Sequence, residues 1–170
     1  MGLFDIFKKK QQENNEIKTI DLSKYENMSD EELLTDRIKA MEDSIVNNEI
    51  DELIMNESVG IIKSRNMGSK VITPLLELLE RNPLVNFGSP GAIVHYLEKL
   101  GGYKEQLVKS IKKTPTLHTI WMLNRCINAH DEKEREYMDL LRSILSRNDV
   151  DNSIKECAKE FIEFQESENE

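Results

Sequence analysis

Apolar residues recur at intervals of three and four along most of this chain, and this spacing limits its fold more than any other feature. The segment after Ser29 shows the pattern with Leu34, Ile38, Met41 and Ile45. Such spacing places apolar side chains on one face of an α-helix. No segment alternates apolar and polar residues for long, as a half-buried strand would. The sequence therefore predicts an all-α fold.

Capping and turn residues divide this pattern into about eight short helices. Ser29 and Glu32 have the spacing of a capping box at the start of the first helix, which ends before the Asn47–Asn48 pair. The later helices are expected over residues 49–66, 69–81, 90–100, 103–113, 116–129, 132–147 and 151–165.

Local signals also predict how individual helices begin and which faces they bury. Thr73 and Ser89 each precede a proline and are expected N-caps, as is Asp151 for the eighth helix. The apolar face expected for the second helix consists of Ile50, Leu53, Ile54 and Ile61.

A weak internal repeat in the sequence bears on how the helices are arranged. Thr73-Pro-Leu and Thr114-Pro-Thr-Leu stand 41 residues apart. This distance fits a HEAT-like α-α superhelix, in which helix pairs repeat every roughly forty residues. An irregular helical bundle is the competing architecture.

The length of 170 residues fits one helical domain, which we place at residues 29–166. Residues 1–28 are expected to form an amphipathic tip and a polar arm, and residues 167–170 a frayed acidic tail. Leu3, Phe4 and Phe7 suit a weak contact with a membrane surface, but no segment has the length of a bilayer span or the pattern of a signal peptide. Two isolated cysteines favour a cytoplasmic protein with reduced thiols.

The net charge of −9 is distributed unevenly. Residues 29–82 carry twelve acidic and six basic side chains, and residues 131–170 carry thirteen and six. Residues 83–130 carry two acidic and six basic side chains. An acidic surface repels nucleic acid and suits a basic protein partner. Solubility alone is the alternative explanation.

The sequence shows no complete reaction centre and no cofactor motif. The serines lack the setting of a nucleophile elbow, and no cysteine stands beside a histidine. His95 and Glu98, three residues apart, would need His118 from another helix to approach the three or four ligands that zinc requires. We therefore predict neither an enzyme nor a metal site, and a small metal-dependent hydrolase is the least favoured alternative.

The sixth helix combines an apolar face with a mixed stripe of four residues: His118, Trp121, Arg125 and Asn128. Large aromatic side chains and arginine are the types that anchor protein interfaces. The stripe therefore suits a binding surface. The competing interpretation places Trp121 at the edge of the core, with Arg125 bonded to a helix end or a carboxylate.

Three stretches carry a resemblance to known proteins. They are Asn86-Phe-Gly-Ser-Pro-Gly-Ala-Ile-Val-His-Tyr-Leu-Glu-Lys-Leu, Tyr103-Lys-Glu-Gln-Leu and Lys113-Thr-Pro-Thr-Leu-His-Thr-Ile-Trp-Met-Leu-Asn-Arg. Together they resemble small bacterial helical immunity proteins that are encoded beside polymorphic or contact-dependent toxins.

The resemblance implies a protein that binds a cognate toxin domain, such as a basic nuclease, and blocks its active site or substrate path. The residues expected to anchor the toxin are Phe87, His95, His118, Trp121 and Arg125. Those expected to position the loop and helices are Asn86, Ser89 and Asn124. A HEAT-like adaptor that binds an unrelated protein is the alternative.

Overall fold

The computed structural model describes residues 22–167, and eight α-helices form most of that region. They are α1 (Asp30–Asp43), α2 (Glu52–Ser64), α3 (Ile72–Arg81), α4 (Gly91–Leu97), α5 (Tyr103–Lys113), α6 (Leu117–Asn128), α7 (Glu134–Leu145) and α8 (Asn152–Ser167). Two short 3-10 helices, Ser23–Tyr25 and Gly68–Val71, precede α1 and α3. Within residues 22–167 the only β-type pairings are isolated bridges. The predicted all-α class with eight helices is confirmed.

The amphipathic tip and most of the polar arm predicted for residues 1–28 lie outside the described residues, as do residues 168–170. The chain divides into two compact units. Unit 1 comprises residues up to Leu75 together with Asn86–Tyr103. Unit 2 comprises Leu76–Val85 and the chain from Lys104 onward. No described helix is both long enough and apolar enough to cross a bilayer.

In unit 1, α1 and α2 run antiparallel. The predicted capping box is present, because Ser29 Oγ accepts from the Glu32 amide at 3.2 Å and Glu32 Oε2 accepts from the Ser29 amide at 2.8 Å. At the same end of the helix pair, Arg65 follows α2 and donates to the carbonyl oxygens of Tyr25, at 2.8 Å, and Met28. These bonds tie the C-terminal end of α2 to the chain that enters α1.

The predicted apolar face of α2 is wrong in two of its four residues. Ile50 and Ile61 are buried, but Leu53 is 78% exposed and Ile54 is 36% exposed. The buried stripe of the helix is Met55, Ser58, Val59 and Ile62, with Ile61 beside it. At about 100° per residue, Leu53 lies roughly 200° from Met55 and faces away. Ile50 precedes the helix, so counting it in the helical period shifted the predicted face.

Two predicted N-caps are also wrong. Helix α3 begins at Ile72, one residue before Thr73, because the 3-10 helix at Gly68–Val71 runs directly into it. Helix α4 begins at Gly91, and no side chain caps it. The chain bends at Ser89 and Pro90, and the N-cap position is Pro90, so Ser89 lies one residue too early to cap α4. Asp151 does cap α8, since its Oδ1 accepts from the Ser153 amide at 2.8 Å.

In unit 2, helices α6, α7 and α8 pack on one another around a continuous core. The apolar face predicted for the sixth helix consists of Leu117, Ile120, Leu123 and Ile127. The last three are buried, and Leu117 is half-buried. Thr116 caps α6 in a reciprocal pair with Thr119: each residue's side-chain oxygen accepts from the other's backbone amide, at 2.9 and 3.0 Å. The sequence pattern thus fixes this helix at its start and along its buried face.

Candidate partner-binding surface

Asn86 joins the loop before α4 to the turn between α1 and α2. Its backbone N–H donates to the Asn48 carbonyl at 2.8 Å, and its own carbonyl accepts from the Ile50 amide at 3.3 Å. Its side-chain Nδ2 donates to Glu49 Oε2 at 3.0 Å, and its Oδ1 accepts from the Gly88 amide at 2.9 Å. All four polar groups of Asn86 are therefore bonded within unit 1, as a residue that positions a loop requires.

The turn that Asn86 contacts is a two-residue β-turn. Asn47 and Asn48 have φ values of 52° and 60°. Val46 and Glu49 close the turn with reciprocal backbone hydrogen bonds of 2.9 and 3.0 Å. Two successive left-handed residues define a type I′ turn, which asparagine adopts more readily than most residues. The Asn-Asn pair carried this signal in the sequence, where it indicated only the end of a helix.

Phe87 lies in the core of unit 1, with 1% of its surface exposed. Its neighbours Asn86 and Ser89 are partly buried. The loop before α4 is thus held in place by the buried ring of Phe87 and by the hydrogen bonds of Asn86. In this conformation Phe87 is not presented to a partner, whereas Ser89 is partly exposed.

His95 is exposed on α4, while Ile93, Val94 and Leu97 are buried. His95 therefore points away from the buried face of α4. Among the predicted anchors of unit 1, His95 is the one whose side chain is open to solvent.

The stripe on α6 in unit 2 runs from the core to the surface. His118 is 2% exposed, and its ring centroid lies 5.9 Å from that of Trp121 at an interplanar angle of 59°. Trp121 is partly exposed, and the guanidinium carbon of Arg125 stands 5.3 Å from its ring centroid. Cation–π attraction at this distance favours the stacked arrangement. The three predicted residues are therefore in one continuous contact, and its outer members reach solvent.

Asn124 is buried on another side of α6. Gln165 of α8 donates from Nε2 to Asn124 Oδ1 at 2.8 Å and also to Asn128 Oδ1. This bridge fixes α6 against α8, which is the positioning role expected for Asn124. No local sequence pattern indicates the role of Gln165, because its partners lie 41 and 37 residues away.

The predicted site residues are divided equally between the units. Asn86, Phe87, Ser89 and His95 belong to unit 1, and His118, Trp121, Asn124 and Arg125 belong to unit 2. Partner binding by these residues stays a prediction.

The charge pattern of the sequence appears in unit 1 as a strongly acidic segment. Residues 40–62 contain six acidic side chains and no lysine, arginine or histidine. Five of the six belong to exposed residues: Asp43, Glu49, Asp51, Glu52 and Glu57.

Basic residues of unit 2 are partly neutralised by acids. Lys113 pairs with Glu80 at 2.6 Å, and this bond raises the pKa of Lys113. Glu80 also accepts from Ser110 Oγ at 2.8 Å. Lys104 pairs with Asp131, and that bond lowers the pKa of the Asp131 carboxyl. Lys104 and Lys113 both belong to the basic segment 83–130. The positive charge that this segment presents to a partner is therefore smaller than its number of basic residues suggests.

Among residues 22–167, no three or more His, Cys, Asp or Glu side chains form a group that could hold a metal ion. Comparisons of the chain with protein-family models, curated proteins and solved structures find no match.

Proposed function

We propose that this chain is a cytoplasmic immunity protein that binds a cognate bacterial toxin domain and blocks its active site or substrate access. The resemblance of residues 86–125 to such proteins motivates the proposal. In this role the protein performs no reaction. Its contribution is a surface that matches the toxin in shape and charge.

The observation that carries the proposal is the stacked pair of Trp121 and Arg125 on α6. Both side chains are partly exposed, and they hold each other in place with a separation of 5.3 Å. The ring of buried His118 lies 5.9 Å from that of Trp121, measured between centroids. Because the pair is already ordered, a partner that covers it loses little side-chain entropy. Tryptophan and arginine are also the residues that most often dominate binding energy.

The acidic segment of unit 1 supports the same role by a different route. Exposed carboxylates attract a basic protein over distances up to about the Debye length, which is ~8 Å at physiological salt. This attraction raises the association rate more than the final affinity. A basic toxin such as a nuclease is therefore the partner class that the charge favours.

Co-expression tests the proposal directly. The toxin domain to use is the variable C-terminal domain of a large secreted protein encoded next to this chain's gene. Expression of that domain alone should stop growth of the host, and co-expression of this chain should restore it. Absence of rescue by a well-expressed, folded protein would remove the immunity role and favour a HEAT-like adaptor.

Binding measurements then test the Trp121–Arg125 pair. Trp121→Ala should weaken toxin binding by about 2 kcal/mol or more, which is roughly thirtyfold in Kd. Phe164→Ala is the matched control, because Phe164 is a partly exposed aromatic residue on α8 of the same unit. It should change Kd little. Equal effects of the two substitutions, or a loss of melting temperature that accounts for the weaker binding, would contradict an anchoring role for Trp121.

A further inference from the structure

Helix α6 reaches solvent along a single stripe of its surface. Eight of its twelve residues are buried. The other four are Leu117, Trp121 and Arg125, which are half-buried, and Asn128, which is exposed. They are spaced by four, four and three residues, so they lie on one face of the helix within about 80° of one another. We call these four residues the α6 stripe.

The polar groups of the α6 stripe are suited to donate hydrogen bonds. The guanidinium carbon of Arg125 lies 5.3 Å from the Trp121 ring centroid, and a guanidinium over an aromatic ring still has in-plane N–H donors that fit a planar carboxylate. Asn128 Oδ1 accepts from Gln165 Nε2, so the Nδ2 donor of the same amide is turned away from Gln165. The stripe contains one cation and no acidic residue. It therefore suits a negatively charged acceptor that has an apolar neighbour.

We propose that the α6 stripe binds a protein segment that carries an Asp or Glu carboxylate beside an apolar side chain. The carboxylate accepts from Arg125 and Asn128. The apolar side chain packs on Trp121 and Leu117. That this segment belongs to a toxin domain rests on the proposed function, but the chemistry of the stripe does not. A toxin that is basic as a whole also carries single exposed carboxylates, so the two proposals are compatible.

A nucleic-acid phosphate is also an anionic acceptor, but the charge of this chain argues against it. The net charge of −9 repels a polyanion. Binding to a phosphate backbone draws its affinity from several basic contacts together, and the α6 stripe contains only Arg125. A single carboxylate with an apolar neighbour needs no more than this one cation and its neighbouring donor.

Three small molecules of similar shape test this chemistry without a toxin. Phenylpropionate, phenylpropionamide and phenylpropylamine share an aromatic ring on a short chain, and their end groups are negative, neutral and positive. Trp121 is the only tryptophan of the chain, so its fluorescence and its indole N–H resonance report binding at the stripe. Phenylpropionate should bind about tenfold more tightly than the amide, and the amine should bind most weakly.

Asn128→Asp is the most specific variant. An aspartate oxygen still accepts from Gln165, whereas the donor that faces the partner becomes a negative group. The substitution should remove the preference for phenylpropionate over its amide. Arg125→Met should remove the same preference, so either variant is sufficient if the other does not fold.

Asn56→Asp is the matched control, because Asn56 is an exposed asparagine on α2 in unit 1. It adds the same charge at a different place and should leave the affinities for all three molecules unchanged. An equal loss of phenylpropionate binding in Asn56→Asp and Asn128→Asp would overturn the proposal, because it would reduce the effect to net charge.

Two further results would overturn the proposal. One is equal or tighter binding of the amide or the amine in the native protein. The other is tighter binding of phenyl phosphate than of phenylpropionate, which would assign the stripe to a phosphate ligand. Failure of the toxin rescue in co-expression would contradict the immunity role alone, since these titrations contain no toxin.

Discussion

The two units fix their connecting segments in different ways. Unit 1 depends on backbone conformations that few residues adopt. Within residues 22–167 it contains all but one of the left-handed positions: Asn47, Asn48, Asn66, Gly68, Gly88, Gly91 and Gly102. Unit 2 has a single left-handed residue in its described part, His130.

Unit 2 is held mainly by side chains that reach between segments distant in sequence, as Arg65 and Asn86 also do in unit 1. Arg147 donates to the carbonyl oxygens of Ile111, Lys112 and Lys113 at 3.0 to 3.1 Å, and so caps the C-terminal end of α5. Gln165 bridges α8 to α6 in a comparable way. Both units therefore depend on single polar side chains, and unit 1 depends in addition on the conformational freedom of single residues.

The largest expected effect tests whether the loop before α4 in unit 1 also needs the buried ring of Phe87. Phe87→Ala should lower the free energy of unfolding by about 3–5 kcal/mol, because it removes a fully buried ring. Phe161→Ala, at a similarly buried position in unit 2, should cost about the same. Urea denaturation measures both. An unchanged midpoint for Phe87→Ala would contradict its place in the core.

Gly88→Ala tests the backbone dependence of unit 1 directly. Gly88 has a φ of 88°, and an added Cβ would stand 3.0 Å from the Gly91 Cα. We expect a loss of about 2 kcal/mol from the left-handed strain and this close contact. Gly101→Ala is the matched control, because nothing lies within 4 Å of its added Cβ and its φ is not left-handed. If thermal unfolding shows equal effects at both glycines, the backbone explanation fails.

Arg147→Met tests the side-chain dependence of unit 2. The substitution keeps much of the apolar stem but leaves the last carbonyls of α5 without their donor. We expect a loss of about 1.5 kcal/mol in chemical denaturation. Arg142→Met is the control, since the pairs of Arg142 with Asp139 and Glu166 are solvent-exposed, and the substitution should cost less than about 1 kcal/mol. A larger loss of stability for Arg142→Met than for Arg147→Met would contradict the importance of the bonds from Arg147 to the end of α5.

The smallest expected effect concerns pH. The bond from Lys104 lowers the pKa of Asp131 in the folded state. Between that lowered pKa and the unfolded value of about 3.9, the unfolded chain binds more protons, so stability rises with pH in this window. The contribution is complete above the unfolded pKa and is lost as pH falls through the folded pKa. Because the pair is partly exposed, it should be worth less than about 1 kcal/mol.

Asp131→Asn should therefore destabilise the protein at neutral pH and flatten its acid dependence. Denaturation midpoints from pH 7 down to pH 2 provide the measurement. An acid dependence as steep as that of the native chain would exclude Asp131 as a source.

Local sequence signals predict the helices because period and capping are properties of neighbouring residues. Ser29, Glu32 and Asp151 act as predicted, and helix α5 has the predicted bounds. The face of α2 could not be fixed from period alone, since the start of the helix decides whether Ile50 belongs to it. The contacts of Arg147 and Gln165 were beyond prediction, because their partners lie more than thirty residues away.

The candidate site shows the same limit. The spacing on α6 correctly groups His118, Trp121 and Arg125, but it does not show that His118 is buried while the other two reach solvent. That distinction depends on tertiary packing, which residue spacing within one helix does not specify.

The bonds of Asn86 also have a consequence for biosynthesis. Asn86 donates a hydrogen bond to the Asn48 carbonyl, yet the ribosome adds it 38 residues later, after the residues of Leu76–Val85 that belong to unit 2. Helices α1 and α2 are able to pair on the nascent chain before that point, but the Asn48 carbonyl cannot accept from Asn86 until that residue has been added. The C-terminal helices of unit 2 are synthesised later still, so all residues of unit 1 leave the ribosomal exit tunnel before these helices do.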